Sequence, residues 1–199
     1  EMVKKIKRLG KGGFGEVWSA YMNKHTKVAV KNLLNDKDAS SINEVMHEVE
    51  IMELVRHPRL INCYGFWKDG EHTAWIIDLL LGGDLDKLLH ENIDKKLSMM
   101  ERFIIVRKIA IGIQGFHVKK IIHRDIKSCN VLFPEEISKD TIIMQAKLAD
   151  YGAAIDLNSK KIKFIRENKD TLDEDDCGDL YGGTLPYAPK EVLTGDLRI

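Results

Sequence analysis

The stretch Ile121-Ile122-His123-Arg124-Asp125-Ile126-Lys127-Ser128-Cys129-Asn130-Val131-Leu132-Phe133 sets an apolar pair, a compact polar cluster and an apolar triplet end to end. Short apolar runs on either side of charged residues predict buried strands, with the charges carried on the loop between them. Asp125 and Asn130 stand five apart on that loop, so one oxygen can face a hydroxyl while another faces a metal ion. Lys127 lies between them, where it can meet a phosphate. A charged surface turn would account for an isolated His-Arg-Asp triplet; the longer pattern is far more specific.

Residues 2–33 predict three strands, and Gly10-Lys11-Gly12-Gly13-Phe14-Gly15 lies between the first two. The spacing Gly10-x-Gly12-x-x-Gly15 is weak alone, because it also marks dinucleotide-binding folds. There the glycines join a strand to a helix, with an acid about twenty residues further on. Here Gly15 leads into strand-like Val17-Trp18-Ser19-Ala20-Tyr21, so the glycines sit at a β-hairpin turn. Backbone without side chains can close over phosphates at such a turn.

Val28-Ala29-Val30-Lys31 closes the next strand, and a lysine there is ordinarily the exposed member of an alternation unless an anion meets it. Ser41-x-x-Glu44 predicts a helix start. Ile42, Val45, Val49 and Met52 follow at helical spacing as an inward face. Glu48 borders that face and is the favoured partner for Lys31; Glu44, Glu50 and Glu53 are the solvated alternatives. Residues 60–67 and 73–81 predict two more strands around an Asp69-Gly70 turn. Asp78-Leu79-Leu80 then connects to Gly82-Gly83, which ends the β-rich half.

Residues 84–90 read as a short helix, and Ser98-x-x-Glu101 opens a long one reaching about Val118. Its predicted core stripe is Phe103, Val106, Ala110, Ile113 and Phe116. Gly112 and Gly115 cost helix propensity, which predicts close packing. Residues 145–149 form a last short strand leading into Asp150-Tyr151-Gly152. Beyond it, Lys160, Lys161, Lys163, Arg166 and Lys169 precede Asp173, Glu174, Asp175 and Asp176, charge blocks typical of a solvated loop.

Thirty-one basic and 31 acidic residues cancel, which argues against nucleic acid and against a membrane surface as partners. No apolar run approaches a membrane span, and the N-terminus lacks the plan of a signal peptide. Cys63, Cys129 and Cys177 are odd in number and lack CxxC spacing. They predict reduced thiols in a cytoplasmic protein rather than a disulfide framework or zinc site. The first residue is Glu1, which predicts a chain beginning inside a longer polypeptide.

In order, the chain carries a glycine-rich hairpin, Val28-Ala29-Val30-Lys31, a helical glutamate, His123-Arg124-Asp125-x-Lys127-x-x-Asn130 and Asp150-Tyr151-Gly152. Together these resemble the eukaryotic protein kinase family over nearly the whole chain. Lys127 and the run from His123 to Asn130 look like Ser/Thr kinases, especially the tyrosine-kinase-like group. The resemblance implies an α+β, two-lobed fold. A small antiparallel β-sheet lobe with one helix would span 1–77 and a hinge 78–82. An incomplete, mainly helical lobe over 83–199 would carry the catalytic loop and activation segment.

The same resemblance implies Mg²⁺-dependent transfer of the ATP γ-phosphate to Ser/Thr hydroxyls of a protein substrate. Lys31 would hold the α- and β-phosphates and pair with Glu48. Asp125 would orient the substrate hydroxyl and accept its proton, and Lys127 would meet the γ-phosphate. Asn130 and Asp150 would hold Mg²⁺. Gly10, Gly12 and Gly15 would cover the phosphates. Leu9, Val17, Ala29 and Leu132 would enclose the adenine, with Ile77 behind it and Leu80 in the hinge; as apolar residues all of these are equally at home in a core. Arg124 before Asp125 implies activation by phosphorylation, through an upstream kinase, at Ser159, Thr171 or Tyr181.

Three features depart from the family pattern. Tyr151 stands where Phe is usual, adding a hydroxyl that needs a partner. The closing Ala-Pro-Glu motif reads Pro189-Lys190-Glu191, which affects the substrate loop. The chain also ends at Ile199, whereas family members continue into several supporting helices, so the long helix is expected to expose apolar surface. The alternatives to a catalytic kinase are a pseudokinase binding nucleotide or a partner, or a truncated and inactive fragment. A small-molecule kinase is disfavoured by Lys127 and Gly183-Thr184.

Overall fold

A computed structural model describes residues 3–12, 15–33, 39–69, 72–90, 97–134, 145–160 and 183–188. Five strands form one antiparallel sheet in the order β1 (Val3–Gly12), β2 (Gly15–Met22), β3 (Thr26–Leu33), β5 (His72–Asp78), β4 (Cys63–Asp69). Gly12 pairs with Gly15, so the glycine-rich segment is a hairpin. The following turn places Asn23 and Lys24 at φ 51° and 69°, a left-handed region that asparagine tolerates better than most residues.

Both faces of β3 are buried, and this decides where Lys31 points. Val28 and Val30 join Val3, Ala20, Ala74 and Ile76 in one core. Ala29 and its cross-strand partner Ile77 join the larger core on the opposite face. Strand side chains alternate, so Lys31 shares the face of Ala29, opposite Trp75. It is an inward lysine, not the solvated member of an alternation. On α1 (Ala39–Leu54), Val49 and Met52 are buried as their spacing predicts, joined by Ile51, while Val55 is buried just beyond the helix. The side chains of Ser41, Ile42, Glu44 and Val45 lie outside the described set.

The remaining elements are α2 (Leu85–His90), α3 (Met99–Val118), β6 (Ile121–Ile122), β7 (Val131–Leu132), β8 (Lys147–Leu148) and β9 (Ile155–Asp156). One-turn 3-10 helices occupy Ser128–Asn130 and Leu185–Tyr187. β6 pairs with β9 and β7 with β8, so the polar loop starting at His123 is flanked by short strands, as expected. This sheet-plus-helix architecture agrees with the two-lobed kinase-like fold.

The start of α3 follows its sequence signature. Ser98 Oγ accepts from the Glu101 backbone N–H at 3.2 Å, and Glu101 Oε2 accepts from the Ser98 N–H at 2.6 Å. Its buried stripe follows only at the C-terminal end, where Phe116 is fully buried and Ile113 packs against the core. Ile105, Ile109, Gly112 and Phe116 face the core, whereas Phe103 and Val106 are 67% and 65% exposed and Ala110 is also exposed. The helix is apolar on more than one side, so periodicity alone cannot choose the inward face. Packing chooses it through Gly112, where an added Cβ would come within 3.1 Å of Leu60 Cδ2 and 3.3 Å of the Arg59 carbonyl oxygen. That approach is reinforced by Leu148, whose N–H donates to Arg59 O at 2.9 Å while its carbonyl accepts from Ile61 N–H at 3.0 Å. Gly115 makes only ordinary contacts, at 3.8 Å.

Candidate active site

The geometry of the polar loop begins at His123. Its ring is 1% exposed and meets Phe116 and Tyr151 edge-on, with centroids 5.2 and 5.7 Å away. Burial lowers the His123 pKa and favours the neutral ring. Nε2 lies 3.2 Å from the Ala149 carbonyl oxygen, and Nδ1 accepts from the Asp125 backbone N–H at 3.3 Å. A carbonyl only accepts, so the proton sits on Nε2 and the ring orients the backbone of Asp125.

Asp125 is the centre of a hydrogen-bonded cluster. Its Oδ2 accepts from Lys127 Nζ at 2.7 Å and from Asn130 Nδ2 at 3.0 Å; its Oδ1 accepts from the Thr184 hydroxyl at 2.6 Å. Burial opposes ionisation of Asp125, but hydrogen bonds from Lys127, Thr184 and Asn130 outweigh it and hold the carboxyl below its usual range. The hydrogen bond to Asp125 raises the Lys127 pKa in return. The Thr184 oxygen also accepts from Lys127 Nζ, at 2.7 Å. A hydroxyl is thus held between a carboxylate able to take its proton and an ammonium able to neutralise its oxygen.

In the sequence, the one signal for Thr184 is its place in the Gly183-Thr184 pair. Gly183 makes its position possible: φ is +103°, and a Cβ there would collide with the carbonyl oxygen of Arg124. Arg124 and Asp150 themselves have φ of 65°, uncommon for residues with side chains, and both lie at the edge of this cluster.

Asn130 also donates from Nδ2 to the Asp125 carbonyl oxygen at 2.9 Å. With its nitrogen committed, its Oδ1 is the group left for a cation. The Asp150 carboxylate is exposed and has no hydrogen-bond or ion-pair partner among the described residues, and its charge acts on His123 and Lys127. One carboxylate and one amide oxygen suit a hard cation such as Mg²⁺ that retains water ligands.

Lys31 Nζ lies 3.6 Å from Glu48 Oε2 and 4.9 Å from the centre of the Trp75 ring. Glu50 and Glu53 are exposed, so Glu48 is the acid that faces β3. Val17, Leu80 and Leu132 pack against the core containing Ala29 and Ile77. Leu9 stands apart from them, at the β1 irregularity between Arg8 and Gly10, and is 41% exposed. Among the described residues, and leaving aside its chain neighbours, no heavy atom lies within 4 Å of where a Gly10 Cβ would be.

Tyr151 is fully buried, and its hydroxyl donates to Ile61 O at 3.0 Å, with Leu148 O at 3.3 Å. That is the partner its sequence position demanded. Burial pushes its pKa well up, with the charges of Asp78 and Glu48 adding to the rise.

A second polar network has no sequence signature. Asp78, expected only as connector, accepts from Lys147 Nζ at 2.7 Å, Tyr64 Oη at 2.6 Å and Asn62 at 2.9 and 3.0 Å. Burial opposes its charge, yet Lys147, Tyr64 and Asn62 hold its carboxyl below the usual range. Burial and the hydrogen bond to Asp78 push the Tyr64 phenol up to about 12. Of the expected phosphorylation sites, Ser159 is described, its N–H donating to Asp156 O at 3.1 Å. Thr171, Tyr181 and Pro189-Lys190-Glu191 lie outside the described residues.

The family model for protein tyrosine and serine/threonine kinases matches residues 3–172. A probable LRR receptor-like serine/threonine-protein kinase of Arabidopsis thaliana, MEE39, is 32% identical over 207 residues, covering 99% of this chain and 21% of that protein. A probable leucine-rich repeat receptor-like protein kinase of the same plant is 36% identical, over 73% of this chain and 16% of its own length. Serine/threonine-protein kinase PLK4 of Drosophila virilis is 33% identical, over 75% and 19% respectively. The chain therefore spans about a fifth of the length of these relatives.

Proposed function

Because the chain belongs to the protein tyrosine and serine/threonine kinase family, we propose that it carries the active site of a protein serine/threonine kinase using ATP. The observation that carries this reading is the Thr184 hydroxyl held at 2.6 Å by Asp125 and at 2.7 Å by Lys127. A substrate serine or threonine hydroxyl needs the same two partners. Asp125 accepts its proton as the oxygen bonds to the γ-phosphorus, the bond to the bridging oxygen breaks and ADP leaves. Lys127 offsets the charge on the transferring group. The preference for serine and threonine is supported by Lys127 and by relatives named for that activity.

Asn130 and Asp150 would hold Mg²⁺, whose contribution when bound is to neutralise phosphate charge. Lys31, positioned by Glu48, would engage the α- and β-phosphates, with Gly10, Gly12 and Gly15 closing over them. Val17, Ala29, Leu80 and Leu132 would contact the adenine, and Leu9 would close its outer edge. In this reading 1–77 is the small lobe, 78–82 the hinge and 83–199 the part of the large lobe present. An upstream kinase acting between Asp150 and Thr184 would set its activity. The test is transfer of radiolabelled phosphate from ATP to a Ser/Thr substrate by the whole protein, with Asp125→Asn as control. Equal transfer by both proteins would sink the reading.

A further inference from the structure

We infer that His47 is a positioning residue that sets Asp150 relative to Glu48, an assignment resting on the kinase reading above. His47 lies immediately before Glu48 on α1, half-buried, and its Nε2 is 2.8 Å from the carbonyl oxygen of Ala154. The carbonyl can only accept, so Nε2 carries the proton. Ala154 closes the turn that follows Asp150, its own N–H donating to Tyr151 O at 2.9 Å. The neighbouring carbonyl, Ala153 O, accepts from Arg124 Nε.

Two consecutive carbonyls are therefore held by different parts of the molecule, one by the loop that carries Asp125 and the other by the helix that carries Glu48. Beyond the turn, β9 pairs with β6, which leads directly to His123. The turn is thus the place where the Asp150 backbone is referenced both to α1 and to the polar loop. Glu48 and Asp150 serve different ends of the same triphosphate, so their separation has to be right for transfer. A displacement of about 1 Å in such a group can cost about a hundredfold in rate. One hydrogen bond from a rigid ring adds little to overall stability but fixes that separation. The signal in the sequence was a histidine beside the favoured glutamate, which helical periodicity leaves without a role.

The experiment compares His47→Ala and His47→Gln with wild type in the whole protein. Gln can return an N–H to about the place of Nε2. Amide hydrogen exchange at Ala154 and Ile155 should quicken about tenfold in His47→Ala, as loss of one hydrogen bond predicts. In the same variant kcat should fall about tenfold and the half-saturating Mg²⁺ concentration should rise several-fold, with KM for the protein substrate unchanged. His47→Gln should restore both exchange and rate. Unchanged exchange in His47→Ala, or failure of His47→Gln to restore it, overturns the assignment. If wild type shows no transfer that depends on Asp125, the kinase reading fails, and the exchange data still decide whether His47 holds the turn.

Discussion

Around Asp125, hydrogen bonds of 2.6 to 3.0 Å tie a carboxylate, an ammonium, an amide and a hydroxyl together, whereas Lys31 and Glu48 stand 3.6 Å apart. Asp125, Lys127 and Asn130 come from one short loop, so most of the first cluster is assembled locally, with Thr184 added from afar. The Lys31–Glu48 pair joins β3 to α1 and depends on how the helix sits on the sheet. A small shift of α1 would open that pair and leave the Asp125 cluster intact. One region is closed by short hydrogen bonds that start within a single loop, and the other rests on a longer contact between a strand and a helix.

Mutations can separate the two. Asp125→Asn should lower phosphate transfer about a thousandfold while nucleotide binding measured by calorimetry is retained. If binding falls in parallel with rate, the cluster is not separable from the nucleotide site. Lys31→Met should lower kcat/KM for ATP about a hundredfold. Adding Glu48→Gln to it should change little, because the acid then has no cation to place. Additive losses would mean that Glu48 acts independently of Lys31.

The joint between the regions is tested through stability. Lys147→Met leaves Asp78 with one fewer partner and should cost about 2 kcal/mol by urea denaturation at neutral pH. Because the folded Asp78 carboxyl is held below its ordinary 3.8, its contribution is full above that value and is lost as pH falls through the lower folded value. The gap between wild type and Lys147→Met should therefore shrink in acid; a gap independent of pH would contradict the assignment. Thr184→Ala removes one donor from Asp125 and should lower kcat about tenfold. With less to offset burial, the Asp125 pKa rises, so the acid limb of the kcat/KM profile should move to higher pH. Tyr151→Phe should be the mildest change, destabilising by about 1 kcal/mol through loss of the hydrogen bond to Ile61 O.

Legibility in the sequence followed distance along the chain. The glycine hairpin, the Ser98–Glu101 cap, the strands flanking His123 and the choice of Glu48 were readable, each resting on residues within a turn or two of one another. The α3 stripe was readable only at Ile113 and Phe116, because Phe103 and Val106 are as apolar as Ile105 and Ile109. For Lys31, alternation alone would point outward, and the expected partner Glu48 is what turned the reading inward.

By itself, the sequence determined which chemical groups this protein can bring to a reaction and which local elements carry them: capping, turn formation and strand alternation act over a few residues. The tertiary structure alone decided that Thr184 meets Asp125 across 59 residues, that His47 meets Ala154 across 107, and that Asp78 is a partly buried anion matched by Lys147. Each of those depends on a distant carbonyl, cation or glycine cleft whose demand for a partner leaves no periodic trace in the chain.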